Sequence, residues 1–231
     1  MAKIGLKYPV AAIITEEPAG AEPTYDTGFV IGKAVSANKS ITSNDNPLYG
    51  DDAIAENDTS FSEGTIELGV TDFGTDTEDT LEIQARLLGH TIVNEGDVSN
   101  PIKVIKKKAS DNAPYVGLGY YKTKKLNNVQ MYEATLLYKV KFQLPSEETT
   151  TKGQNIEWQT PSITGRITTL PNFNDAYEAT AIFETEAECK AWLNDKLNIS
   201  TSSNTEQQTE TQTQTEQQTE PEGVQTEGGG T

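Results

Sequence analysis

Seven apolar residues at spacing two, Tyr132, Ala134, Leu136, Tyr138, Val140, Phe142 and Leu144, constrain the fold more than any other feature of the sequence. Glu133, Thr135, Lys139, Lys141 and Gln143 fill the gaps, and only Leu137 breaks the alternation. Extended chain sends successive side chains to opposite faces, whereas a helix would scatter this set around its axis. The run therefore predicts a long strand with one buried and one wet face. Just upstream, Pro114 to Lys125 (PYVGLGYYKTKK) is rich in Tyr and Val, and Leu126-Asn127-Asn128 has turn chemistry, so the two segments read as a β-hairpin. Further strands are expected near Leu6 to Ile14, Gly28 to Val35, Gly64 to Val70, Ile156 to Ile167 and Tyr177 to Phe183. The fold class expected is mainly β.

Two helices interrupt the strands. Asp76 is expected to cap the first, with Glu78 and Asp79 in its opening turn, Leu81, Ala85 and Leu88 on one face, and Gly89 ending it. The second opens at Thr185-Glu186-Ala187-Glu188, a capping-box spacing, and places Cys189, Trp192 and Leu193 on one side. Residues 36 to 63 are polar around an apolar island at Leu48 and Tyr49, and read as a long loop with a job, such as reaching a partner. Residues 199 to 231 have no aromatic residue and no base, with Val224 the one aliphatic after Ile199. This segment is expected to stay disordered beside one domain of residues 1 to 198.

The formal net charge is -17, unevenly placed. Residues 1 to 102 carry -13, 103 to 141 carry +7, 142 to 198 carry -5 and 199 to 231 carry -6. A subunit polarised in this way favours oriented association with its own copies. The basic run Lys106, Lys107 and Lys108 near Tyr115, Tyr120 and Tyr121 is the best case for nucleic-acid contact, but the overall acidity opposes stable binding to a polyanion. It suits instead a surface past which DNA moves without sticking. One cysteine excludes a disulfide framework within the chain, no apolar run is long enough to cross a bilayer, and the opening stretch, broken by Pro9, is a poor secretory signal. A soluble, cytosolic product is expected.

Catalytic chemistry finds little to work with. His90 is the sole histidine and reads as a surface or loop residue, and Cys189 reads as core. One Cys and one His cannot build a zinc site within a subunit. Asp45, Asp51, Asp52 and Asp58 lack the EF-hand spacing and read as solvated loop acids. Gly117-Leu118-Gly119 sits in a strand pattern with no helix after it, so close packing or a bulge is expected rather than phosphate binding. No cofactor and no enzymatic activity are expected.

Several segments, taken in order, resemble the major tail proteins of long-tailed bacteriophages and prophages of Gram-positive bacteria. They are LYGDDAIAE (Leu48 to Glu56), SFSEGTIEL (Ser60 to Leu68), LLGH (Leu87 to His90), APYVGLGYYKTKK (Ala113 to Lys125) and LLYKVKFQLPSEETTTKGQNIEWQTPSITGRI (Leu136 to Ile167). The resemblance spans roughly Ile4 to Leu197. It implies a tail-tube fold, with two packed antiparallel sheets in a sandwich or half-barrel, a flanking helix and a short C-terminal helix. It further implies stacked hexameric rings forming a conduit for DNA, with tape-measure, tail terminator and distal tail proteins as partners, and a place in the virion tail after synthesis in the host cytoplasm. It brings no catalytic residues. Beside this resemblance, Leu48, Tyr49, Asp51, Asp52, Lys106, Lys107, Lys108, Glu147 and Glu148 are the candidate self-assembly residues. The alternative is an adhesin-like or carbohydrate-binding β-sandwich with a groove of exposed Trp and Tyr, although Trp158 and Trp192 fall where core packing is expected.

Overall fold

A computed structural model describes residues 2–75, 79–97, 100–126, 128–145 and 160–200. The expected hairpin is present: β10 (Tyr115–Leu126) pairs antiparallel with β11 (Val129–Phe142), from Leu126 opposite Val129 to Tyr115 opposite Lys141. The expectation of one wet face on β11 is corrected, because its centre is buried on both sides. Leu137 lies opposite Leu118 and Val140 opposite Val116, so Tyr138 and Lys139 together oppose Gly117. This β-bulge switches the parity of the strand. Ala134, Leu136 and Tyr138 enter one core, whereas Leu137, Val140 and Phe142 enter another. The bulge therefore divides the alternating run between two layers, and its last member, Leu144, stays exposed past the strand end.

The two layers belong to one sheet curled on itself. Its path runs from β1 (Ala2–Glu16) through β10, β11 and β12 (Ser162–Ile167) to β7 (Phe61–Phe73) and β4 (Gly32–Ser43). β3 (Phe29–Val30) pairs with the other edge of β1, Val10 facing Val30 and Ala11 facing Phe29, and continues through Ile31 into β4. The Ile31 N–H donates to the Pro9 carbonyl at 2.9 Å, while its own carbonyl accepts from the Gly74 N–H at 2.9 Å. That residue joins the first strand to the last and closes the sheet into a barrel. Gly32 is required next to it, since a Cβ there would sit 2.2 Å from the Asp72 carbonyl oxygen. β2 (Thr24–Tyr25) extends the sheet beside β1, and β13 (Glu178–Phe183) pairs with residues 132–137 of β11 where β12 no longer reaches.

Ile31, Ile66, Leu68, Leu118, Tyr120 and Ile163 fill the barrel, and α1 (Thr80–Leu88) adds Ile83, Leu87 and Leu88 to them. Asp79, rather than Asp76, caps α1: its carboxylate accepts from the Leu81 N–H, and Gly89 closes the helix in the left-handed conformation. Asp76 and Glu78 lie outside the described residues. On the outer face α2 (Glu186–Lys196) begins with the expected capping box between Thr185 and Glu188. Cys189, Leu193 and Leu197 pack on Tyr121, Leu136 and Tyr138, with Trp192 against Phe183. A Cβ on Gly117 would come within 2.5 Å of the Tyr25 ring and 2.7 Å of Leu197, so this glycine lets the helix approach the sheet.

Tyrosine hydroxyls pin α2 from below. Tyr121 donates to Glu186 at 2.5 Å and Tyr8 to Asn194 at 2.7 Å. Burial, followed by the Glu186 carboxylate, pushes the Tyr121 hydroxyl well above its ordinary range. The Tyr121 hydrogen bond, and then that of Lys190, hold Glu186 down at about 2.

The segment expected as a loop is largely strand. β4 takes Gly32–Ser43, β7 begins at Phe61, and β5 (Asn46–Gly50) and β6 (Ala53–Asp58) make a separate two-stranded ribbon. A second ribbon, β8 (Thr91–Asp97) with β9 (Asn100–Lys106), follows α1. Residues 1–200 make one compact unit; residues beyond 200 are outside the described residues.

Gly32→Ala and Gly117→Ala are each expected to lower the unfolding free energy by about 1–3 kcal/mol through overpacking. Gly5→Ala, which meets nothing within 4 Å, should change it by less than about 0.5 kcal/mol in the same urea titration. A depressed carboxylate stabilises the fold above its ordinary value of 4.5, and that contribution is lost as pH falls through about 2. The stability difference between wild type and Tyr121→Phe should accordingly be greatest above pH about 5 and shrink toward pH about 2 in denaturant melts across that range.

Candidate assembly surfaces

The groups that could carry chemistry are committed to the fold. His90 lies in the loop after α1, in line with a surface or loop residue, but it is buried rather than on the surface: its Nδ1 lies 2.8 Å from Asp111 Oδ2, and its side chain is 2% exposed. The Asp111 carboxylate also accepts the Lys108 backbone N–H at 2.8 Å, and these contacts, led by the latter, hold its pKa below the usual range. Cys189 is buried in the outer core, where desolvation, with the Glu186 charge second, pushes its thiol up to about 11. Such a thiol is the opposite of an activated nucleophile. Among the described residues no cluster of three or more His, Cys, Asp or Glu side chains could hold a metal ion. No helix among them is long and apolar enough to cross a membrane.

The β5–β6 ribbon carries four of the candidate assembly residues. Gly50 pairs with Ala53 across Asp51-Asp52, whose φ angles of 49° and 61° are both positive. That is a two-residue type I′ turn, whose twist matches the flanking strands. Aspartate tolerates the left-handed conformation, so the sequence forms a hairpin without Asn-Gly. Leu48, Tyr49 and Ile54 are 60%, 66% and 60% exposed, with Tyr49 and Ile54 directly opposite each other. Asp51, Asp52 and Glu56 flank them, and no base occurs between Ser40 and Leu87 except Arg86. The result is an acidic, apolar projection.

The β8–β9 ribbon sets Glu95 and Asp97 against Lys103 and Lys106, and its basic end comes from Lys107 and Lys108 just past β9. Asn94 and Lys103 share the face turned to α1, where Lys103 pairs with Glu82 at 2.5 Å and Asp79 at 3.4 Å. Strand alternation therefore places Thr91, Val93, Glu95, Asp97, Ile102, Val104 and Lys106 on the opposite face. Ile102 is 64% exposed there, and Lys106 reaches Glu95 at 2.7 Å. Lys107 and Lys108 follow, both exposed. Much of the remaining basic segment is neutralised within the chain: Lys122 and Lys124 meet Glu133, and Lys139 meets Glu17 at 2.5 Å while lying over the Tyr115 ring.

The barrel wall itself has two kinds of outer surface. α2 covers the side built from β1, β10, β11 and β13. On β4, β7 and β12 the outward positions are Asn38, Ser40 and Thr42, Glu63, Thr65 and Glu67, and Ser162, Thr164 and Arg166. Arg166 pairs with Glu63 at 2.9 Å. Every one of these side chains is polar.

Leu48, Tyr49, Asp51 and Asp52 thus share one ribbon, and Lys106 lies on the other with Lys107 and Lys108 just beyond it. Glu147, Glu148 and Trp158 lie outside the described residues. Sequence reasoning missed both ribbons as structures and with them Ile54 and Ile102. The signal for β9 was present in the alternation of Ile102 and Val104 with Lys103, which is short and follows Pro101. Comparison with protein-family models finds no match for this chain, and comparison with curated proteins finds none either.

Proposed function

We propose that the chain is a structural subunit that assembles with copies of itself, and specifically the major tail tube protein of a long-tailed bacteriophage or prophage. In this reading subunits form hexameric rings, the rings stack, and DNA leaves the capsid through the tube. The observation that carries the proposal is the pair of ribbons standing outside a closed barrel. An isolated two-stranded ribbon is marginal in water, and exposed Leu48, Tyr49, Ile54 and Ile102 on such ribbons gain stability when another surface covers them. The ordered resemblance of segments from Leu48 to Ile167 supplies the particular assembly.

The polar wall of β4, β7 and β12 supports the conduit role. Along residues 38–42, 63–67 and 162–166 Glu63 and Glu67 outnumber Arg166 and the other outward side chains are Ser, Thr and Asn, so a passing polyanion finds no lysine cluster to bind. The exposed Lys33 and Val35 lie at the start of β4, before this stretch. This wall is the part of the barrel that we assign to the lumen.

Negative-stain electron microscopy of the purified protein is expected to show rings or tubes, with an association rate that falls as salt is raised. A protein that stays monomeric at high concentration in sedimentation experiments overturns the proposal.

A further inference from the structure

We propose that the acidic β5–β6 ribbon of one copy docks on the basic end of the β8–β9 ribbon of another, where Lys107 and Lys108 follow the strand. The inference rests on the self-assembly reading above and names the contact. It is carried by charge complementarity between the two elements that stand outside the nine-stranded sheet. The first offers Leu48, Tyr49 and Ile54 beside Asp51, Asp52 and Glu56, all exposed. The second offers Val93, Val104 and Ile102, with Lys106, Lys107 and Lys108 at the base of the strip and Glu95 and Asp97 toward its tip.

Both lysines within the ribbon are already engaged, Lys103 with α1 on the inner face and Lys106 with Glu95 on the outer one. Among the described residues no salt bridge reaches the Lys107 ammonium, the Lys108 charge acts on Asp111 without a salt bridge, and none of the ribbon acids Asp51, Asp52 or Glu56 meets a cation. Contact would bring these unpaired charges together while the two apolar strips cover each other. Donor ribbon and acceptor ribbon are different parts of one chain, so the contact can repeat head-to-tail from copy to copy, as the ring assembly proposed above requires.

The test is charge reversal with rescue. Asp51→Lys with Asp52→Lys, and separately Lys107→Glu with Lys108→Glu, set like charge against like, and each pair is expected to raise the critical concentration for assembly by about tenfold or more in light scattering. A chain carrying both pairs of reversals, or an equimolar mixture of the two variants, should regain assembly by light scattering and electron microscopy. Asp51→Asn with Asp52→Gly keeps a favourable type I′ turn while removing both charges, and should weaken assembly less than the reversal. Lys125→Glu, on an exposed position at the end of β10, is the control and should leave assembly unchanged. Thermal melting of every variant checks that the barrel is intact.

Reversals that leave the critical concentration of an assembling wild type within about twofold overturn the docking but not self-assembly. So does loss of assembly that the combined reversals fail to rescue, or sensitivity to Lys125→Glu in place of Lys107 and Lys108. A wild type that never assembles overturns both.

Discussion

Closure of the sheet at Ile31 is the constraint from which the rest of the architecture follows. One backbone donates to β1 and accepts from the residue after β7, so the first and last strands of the path share a single connection. An open sheet of this curvature would leave two long edges and an exposed apolar face. The closed form removes those edges and makes an interior that Ile31 itself, fully buried, helps to fill. Closure also decides what is left outside: a hairpin inserted between β4 and β7, and another between α1 and β10, can project from the barrel without disturbing it.

The second organising device is the bulge at Tyr138 and Lys139. A strand with strict alternation serves one core on one face, and β11 has to serve the barrel interior and the packing surface of α2 along different parts of its length. The extra residue changes the parity where the neighbouring strand changes from β13 to β12. Gly117 opposite the bulge clears space for Tyr25 and Leu197. Tyr121, Tyr138 and Tyr25 then work as amphipathic struts: rings in the core, hydroxyls on Glu186, Glu22 and the Tyr138 carbonyl.

These features explain what could be read from the residues alone. Alternation over Tyr132 to Phe142 located β11, and the capping box located α2 to the residue, because both are local rules. The same alternation assigned one wet face, since a bulge depends on the partner strand and its one mark in β11, the break at Leu137, does not say which side that residue enters. Asp76 and Asp79 are equally good caps by residue type, and tertiary placement of Ile83, Leu87 and Leu88 in the barrel selects the later start. The polar stretch from Ser36 hid a barrel strand for a similar reason: Asn38, Ser40 and Thr42 face outward, and their inward neighbours Ala37 and Lys39 look unremarkable until Leu68 and Ile66 are set opposite them. Of the candidate assembly residues, the sequence made Leu48 and Tyr49 visible as an apolar island and Lys106 to Lys108 as a charge run. Their arrangement on two ribbons required the strand pairing.

The last turn of α2 bears on how such a chain can diversify. Leu197 is fully buried, Ile199 packs on the outer core, and the Asn198 carbonyl accepts the Gly28 N–H at 3.0 Å, which fastens the end of the barrel unit to its third strand. The turn that ends α2 is therefore fixed by side-chain packing and by backbone at once, and variation within the helix is expected at the exposed Ala191 and Asp195 rather than at Leu193 or Leu197.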